Sequence, residues 1–182
     1  MPRRAMSLPT ADLCDEAGLD VSKIPSHKVK IVDPAMNFRN FGGLTEFSGK
    51  ITTIKAYESN PAVKKAFEEE GLGRVLVVDA GGSMRCAMLG DMIAEAGTKN
   101  GWAGIVVYGC IRDSKVVGQL QLGVKALNTH PVKSHKNHPG ERDIEVIFGG
   151  VTFKPGQYLY SDSDGIIISD APLMLGDHCP NP

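Results

Sequence analysis

Two apolar runs limit how this chain can fold: RVLVVD, Arg74 to Asp79, and WAGIVVY, Trp102 to Tyr108. Each is short and rich in β-branched residues, and each reads as a buried strand. Between them a helix is predicted to begin near Gly90 and Asp91 and to run through Ile93, Ala94 and Ala96 to about Lys99, with Gly101 ending it. The first strand empties into Ala80, Gly81, Gly82 and Ser83, and the second into a loop from Gly109 to Asp113. Both polar tips then lie on the same side, the arrangement that open α/β sheets use at ligand crevices.

The flanking segments extend this pattern. Thr10 is read as the cap of a short helix, ADLCDEAG, with Gly18 past its end. Lys28 to Asp33 reads as a strand, Pro34 to Gly43 as a loop, and Lys50 to Ala56 as a second strand. Asn60 followed by Pro61 starts a helix that Gly71 stops. The last third is strand-rich, with Gly123 to Leu127, Ile144 to Phe148, Gln157 to Tyr160 and Ile166 to Ser169. Pro155-Gly156 and Asp164-Gly165 supply turns. The polar segment from Thr129 to Asp143 is expected to be an exposed loop, residues 1–9 a flexible tail and residues 171–182 a C-terminal tail around one domain.

The bulk properties exclude several classes. A net charge of -1 with 23% charged residues lacks the basic excess of nucleic-acid binders, so no direct nucleic-acid contact is expected. No apolar run is long enough to span a bilayer and the first residues lack the apolar middle of a signal peptide, so a cytoplasmic protein without membrane contact is expected. The four cysteines, Cys14, Cys86, Cys110 and Cys179, form no CxxC pair and read as free thiols. His130, His135 and His138 share one loop without standard zinc spacing and read as solvated side chains.

The strongest candidate constellation is Gly90-Asp91-Met92-Ile93 at a helix start with Arg112-Asp113 after the following strand. The interval suits one helix and one returning strand, so the two tips can meet. Helix-start amides at Met92 and Ile93 could hold a carboxylate, and the Arg112 fork could clamp the same group. Asp113 with surrounding waters is a fit for Mg²⁺ or Mn²⁺. An isolated Arg-Asp pair is, against this, more often a surface ion pair or turn stabiliser. The glycine loop Val77 to Ser83 follows a strand as a nucleotide loop must, but lacks GxGxxG spacing; the alternative is a tight turn packed under the pocket.

Taken together, TADLCDE, GRVLVVDAGGSMRCAMLGDMIAEAGTKNGWAGIVVYGCIRD, LGVKAL, GERDIEV and FGGVTFKPGQYLYSDSDGIII resemble the RraA-like family, which includes regulators of ribonuclease activity and class II pyruvate aldolases. The resemblance implies an α/β fold of the swivelling β/β/α type, a homotrimer or hexamer, and pockets at subunit clefts. The aldolase signature, an Asp, twenty intervening residues and Arg-Asp, is met by Asp91, Arg112 and Asp113. By that similarity Asp113 ligates a divalent metal, Arg112 with Gly90, Asp91, Met92 and Ile93 binds the 2-oxo acid, and Asp91 orients a catalytic water. The implied activity is metal-dependent cleavage of a 4-hydroxy-4-methyl-2-oxoglutarate-like acid to pyruvate, with oxaloacetate decarboxylation as a secondary reaction. The alternative is a non-catalytic regulator with a ribonuclease partner. Where many relatives follow Arg-Asp with an acidic helix, this chain has Ser114, Lys115, Val116 and Val117.

Overall fold

In the computed structural model, which describes residues 8–175, the sequence forms four α-helices and twelve strands among the described residues. In chain order they are α1 (Thr10–Glu16), β1 (Val29–Ile31), β2 (Arg39–Asn40), β3 (Phe47–Lys55), α2 (Pro61–Glu68), β4 (Val75–Asp79), β5 (Ala87–Leu89) and α3 (Asp91–Lys99). Then follow β6 (Gly104–Ile111), α4 (Ser114–Val117), β7 (Gly123–Thr129), β8 (Glu141–Arg142), β9 (Val146–Phe148), β10 (Val151–Phe153), β11 (Tyr158–Ser161) and β12 (Ile166–Ser169).

The centre is parallel. β3, β4, β6 and β7 lie side by side in that order, joined through register pairs such as Val77 with Thr53 and with Val106. A parallel sheet must be covered on both faces, which is why the inner strands β4 and β6 are apolar at nearly every position. Leu76, Val78, Ile105 and Val107 face one core, where Val63, Ala66 and Phe67 of α2 and Ala94 of α3 pack on them. Val75, Val77 and Val106 face the other, against Phe148, Phe153, Leu159 and Ile168. Helices thus cover one face and strands the other, a β/β/α arrangement.

β3 joins the two halves. Its second half pairs with β4 in parallel, and its first half, Phe47 to Lys50, pairs antiparallel with β11, which carries β12 and β1 beyond it. A strand used in this way must be long, and β3 has nine residues. A separate hairpin of β9 and β10, turned by Gly149 and Gly150 at positive φ, lies over the second core.

Several local expectations change. Thr10 is the first residue of α1 rather than its cap; Pro9 precedes it, and the Thr10 amide and hydroxyl instead donate to the Asp162 carboxylate at 2.6 and 2.8 Å. Asn60 does precede α2, but its amide donates to the Met88 carbonyl at 3.1 Å instead of capping the helix. The loop expected from Gly109 is strand as far as Ile111, because its backbone pairs with both β5 and β7. The segment from Thr129 to Asp143 is largely exposed yet anchored by β8 on β3 and by bridges from Lys133 to Ala87 and His135 to Ser59. Of the expected tails, residues 1–7 and 176–182 lie outside the described residues, whereas Leu8, Leu173 and Leu175 pack on the small core around α1.

That small core is held by a buried polar knot. Asp162 accepts from Thr10 and, in its own turn, from the amides of Asp164 and Gly165 at 2.9 and 3.2 Å, while the buried ammonium of Lys125 donates to its carbonyl at 2.6 Å. Burial pushes the Asp162 carboxyl upward, but these donors outweigh it and hold the group below the ordinary carboxylate range. A depressed folded pKa gives stability that is complete above the unfolded value, near 4, and that fades as the pH falls through the folded one. Asp162→Asn should therefore lower unfolding free energy in urea by about 1–3 kcal/mol at neutral pH. The gap to the native chain should narrow below roughly pH 4; an undiminished gap in acid would show that the carboxylate charge is not what the knot uses.

Candidate active site

The site lies where β5 and β6 end. The Arg112 amide donates to the Leu89 carbonyl at 2.9 Å, extending the β5–β6 pairing by one bond beyond the strand. That bond sets Arg112 beside Gly90, the residue that precedes α3. The chain then turns at Asp113, which adopts the left-handed conformation with φ of 53° and ψ of 34°. Aspartate is among the side chains that tolerate this region. The Asp113 carbonyl accepts from the amides of Val116 and Val117, so the turn is fixed by the start of α4.

This backbone brings the predicted residues together. Asp113 Oδ2 lies 3.3 Å from Arg112 Nε and 3.4 Å from the Asp91 amide. The second is a long contact, one that a partial positive charge at a helix start still favours. The Arg112 and Asp113 side chains are 40% and 38% exposed, so the pair is in contact but open to solvent. Gly90 makes the approach possible: a Cβ there would sit 2.8 Å from Asp113 Oδ2 and 3.2 Å from Arg112 Nε. Its backbone is extended, so the requirement is for space and not for a positive φ.

The helix-start amides are arranged differently from the expectation. Asp91 folds back so that its Oδ1 accepts from the Met92 amide at 2.7 Å, leaving the Ile93 amide as the first-turn donor available to a ligand carboxylate. The Met92 side chain is 80% exposed and takes no part in a core. Both contacts to Asp113 fall on Oδ2, so Oδ1 is the oxygen left for a cation. Asp113 is a single half-exposed carboxylate, and among the described residues no cluster of three or more His, Cys, Asp or Glu side chains surrounds it; a hard divalent ion held there would draw its remaining oxygen ligands from water and substrate.

The other sequence candidates border the end of β6 without joining the Arg112–Asp113 pair: the His130 amide donates to the Ile111 carbonyl at 2.8 Å and the Gly82 amide to the Tyr108 carbonyl at 3.0 Å. The glycine loop packs tightly: a Cβ on Gly81 would meet the Tyr57 ring at 2.7 Å and one on Gly82 the Tyr108 ring at 2.9 Å, which supports the tight-turn reading. His135 and His138 are exposed and edge-on to each other at 5.6 Å. Two features had no signal in the pattern of residues. The segment around Val132 lines β5, its carbonyl accepting from the Ala87 amide at 2.8 Å, and Met84 folds its sulfur against Cys110. Gly90→Ala should leave the fold intact but lower stability in urea by roughly 1 kcal/mol through overpacking. It should also shift the Arg112 Nε–H resonance; an unmoved resonance would mean that Gly90 does not set the pair.

Comparison with known proteins shows what the whole chain resembles. The RraA-like family model, described as Aldolase/RraA, matches residues 10–168. A protein of Alkalilimnicola ehrlichii, named provisionally as a 4-hydroxy-4-methyl-2-oxoglutarate aldolase, is 52% identical over 93% of this chain and 99% of its own length. One of Aromatoleum aromaticum with the same provisional name is 52% identical over 93% of this chain and all of its own. Among solved structures, the RNA-processing inhibitor RraA from Thermus thermophilis superposes with a TM-score of 0.83 at 37% identity, covering 94% of this chain and 98% of that one. A structure from Geobacillus kaustophilus described as an S-adenosylmethionine:2-dimethylmenaquinone methyltransferase gives 0.83 at 40% identity, covering 91% and 97%. With its α/β architecture and a family match over most of its length, the chain is a member of the RraA-like family.

Proposed function

We propose that this protein is a divalent-metal-dependent aldolase that cleaves a 4-hydroxy-4-methyl-2-oxoglutarate-like acid to pyruvate, with oxaloacetate decarboxylation as a secondary activity. The observation that carries the reading is the convergence at one open rim of the Gly90–Asp91 helix start and the Arg112–Asp113 turn. The provisional aldolase names of relatives at about half identity support it.

Each residue then has a role. Asp113 holds the cation through a carboxylate anchored by its left-handed turn, and Mg²⁺ or Mn²⁺, when bound, supplies Lewis-acid stabilisation of negative charge on the substrate's keto oxygen. Arg112 grips the carboxylate of the 2-oxo acid with its planar fork, assisted by the Ile93 amide. The 3.3 Å contact between Arg112 and Asp113 keeps the guanidinium beside the anion it must share with the ligand. Asp91 has one oxygen engaged by the Met92 amide and the other available to orient a water. That water takes the proton from the 4-hydroxyl, whose oxygen becomes the carbonyl of the departing C4 keto acid as the C3–C4 bond breaks; the bond's electron pair passes to C3 and the keto oxygen, and return of the proton to C3 releases pyruvate. No lysine imine is required. Loss of CO₂ from oxaloacetate develops the same charge and needs the same groups.

The second reading is a non-catalytic regulator that binds a ribonuclease, supported by the likeness to the Thermus inhibitor. Such a role does not depend on a charge at Asp113. A homotrimer or hexamer with sites at subunit clefts belongs with either reading. Methyl transfer, the activity in the name of the Geobacillus neighbour, calls for an S-adenosylmethionine site, and the packed glycine loop does not favour one.

Pyruvate release from 4-hydroxy-4-methyl-2-oxoglutarate, followed with added Mg²⁺ or Mn²⁺ and then with chelator, tests the proposal. Asp113→Asn keeps the shape and the tolerance for the left-handed turn while removing the charge, and should lower kcat by about 10²–10³-fold. Arg112→Lys, which loses the fork, should raise KM more than it lowers kcat. Turnover that survives chelation, or an Asp113→Asn variant with native rates, would leave only the regulatory reading.

A further inference from the structure

The lysine of the polar knot uses only part of its bonding capacity. Lys125 is 3% exposed, and its ammonium carries three N–H donors. One goes to the Asp162 carbonyl at 2.6 Å; the other two meet no acceptor among the described residues. Burial pushes the ammonium's pKa down and the Asp162 carboxylate draws it back up. A charge buried with idle donors is costly unless something accepts from them. The Ser161 hydroxyl, also 3% exposed, has no hydrogen-bond partner either. Ser161 pairs in register with Ile166, so both side chains project from the same face of the sheet.

Lys125 and Ile166 line one pocket of about 210 Å³, set between the end of β1 and the turn from β11 to β12. None of its lining residues belongs to the Arg112–Asp113 site. The backbone of Lys125 is enclosed by β6 and β2, so its side chain is what it presents there. Val32, Phe38 and Ile166 supply an apolar wall, whereas Asp33 and Asp164 are exposed and form an acidic rim. One Asp33 oxygen accepts from the Ala35 amide at 2.8 Å, which leaves the other for a ligand. The volume falls below the roughly 300–1,000 Å³ of pockets for drug-sized ligands, so the occupant is small.

We infer that this pocket binds a short ω-amino carboxylate, a few methylenes long with a carboxylate at one end and an ammonium at the other. The carboxylate accepts the two idle N–H groups of Lys125 in charge-assisted bonds. The methylenes lie along the apolar wall, and the ammonium reaches the carboxylates of the rim. Deep cation, apolar wall and outer anions follow one another in the same order as the groups of such a ligand. A second carboxylate in place of the ammonium is repelled by Asp33 and Asp164, so the pocket selects against dicarboxylates, the substrate class of the proposed aldolase centre.

The full chain, labelled with ¹⁵N, is titrated with 4-aminobutyrate, butyrate and succinate and read at the amides of Asn37, Ser163 and Gly165. 4-Aminobutyrate should shift these amides saturably and bind about fivefold more tightly than butyrate, and succinate should leave them unmoved. Lys125→Met should weaken 4-aminobutyrate and butyrate alike by about tenfold or more. Because Lys125 also ties the Asp162 turn to β7, a variant that spares the knot carries the test by itself. Asp33→Asn/Asp164→Asn changes exposed side chains, and asparagine keeps the bond to the Ala35 amide. It should bring 4-aminobutyrate down to the affinity of butyrate. A native preference in that double variant, saturable binding of succinate to the native chain, or unmoved pocket amides with all three probes would overturn the proposal. Asp113→Asn should bind 4-aminobutyrate as the native chain does, so the outcome is independent of the aldolase reading.

Discussion

The pairing of β5 with β6, closed by the Arg112 amide on the Leu89 carbonyl, is the constraint on which the site depends. Strand β6 is buried on both sides, with Ile105, Val107 and Ile111 in one core and Val106 in the other, so its course is dictated by packing that no single surface residue can alter. Once β6 is fixed, the polar residues at its carboxyl end have one place to go. Gly90, without a side chain, lets Asp113 and Arg112 close against the start of α3. The chemistry proposed for this corner thus rests on apolar packing one residue deeper.

The same logic explains why the half-sheet beyond β3 matters. Lys125 projects from β7 on the face shared with Val106 and crosses to the Asp162 turn, which in turn holds the start of α1. A buried ammonium and a buried carboxylate are costly unless each is fully bonded. Here backbone groups supply most of the partners, so the second layer is tied to the central sheet at a defined position.

Electrostatics at the site differ in kind from this interior knot. Arg112 and Asp113 are each well exposed, and an exposed pair of this type contributes little to stability. Solvent-facing charges held near each other by backbone geometry, with little stability gained, are what a ligand-binding rim requires.

Local pattern in the residues determined the central βαβ unit, the helix over Asp91–Lys99 and the site pair, because apolar runs bounded by glycine and a fixed helix-plus-strand interval are short-range properties. The same holds for β12 and for the turn at Asp164-Gly165. Tertiary structure decided the rest. Thr10 looked like a cap but donates to Asp162, 152 residues away, and Asn60 gave its amide to Met88 instead of its own helix. The extension of β6 to Ile111, the short strands β2, β5 and β8, and the approach of Met84 to Cys110 arise only when distant strands come into register. Of the β9–β10 hairpin, β9 lies within the strand expected from Ile144 to Phe148, whereas the three residues of β10, beyond Gly149-Gly150, are too few for periodicity to declare them. Propensity speaks for a residue and its near neighbours, whereas hydrogen-bond partners across a sheet are chosen by the packing of the whole.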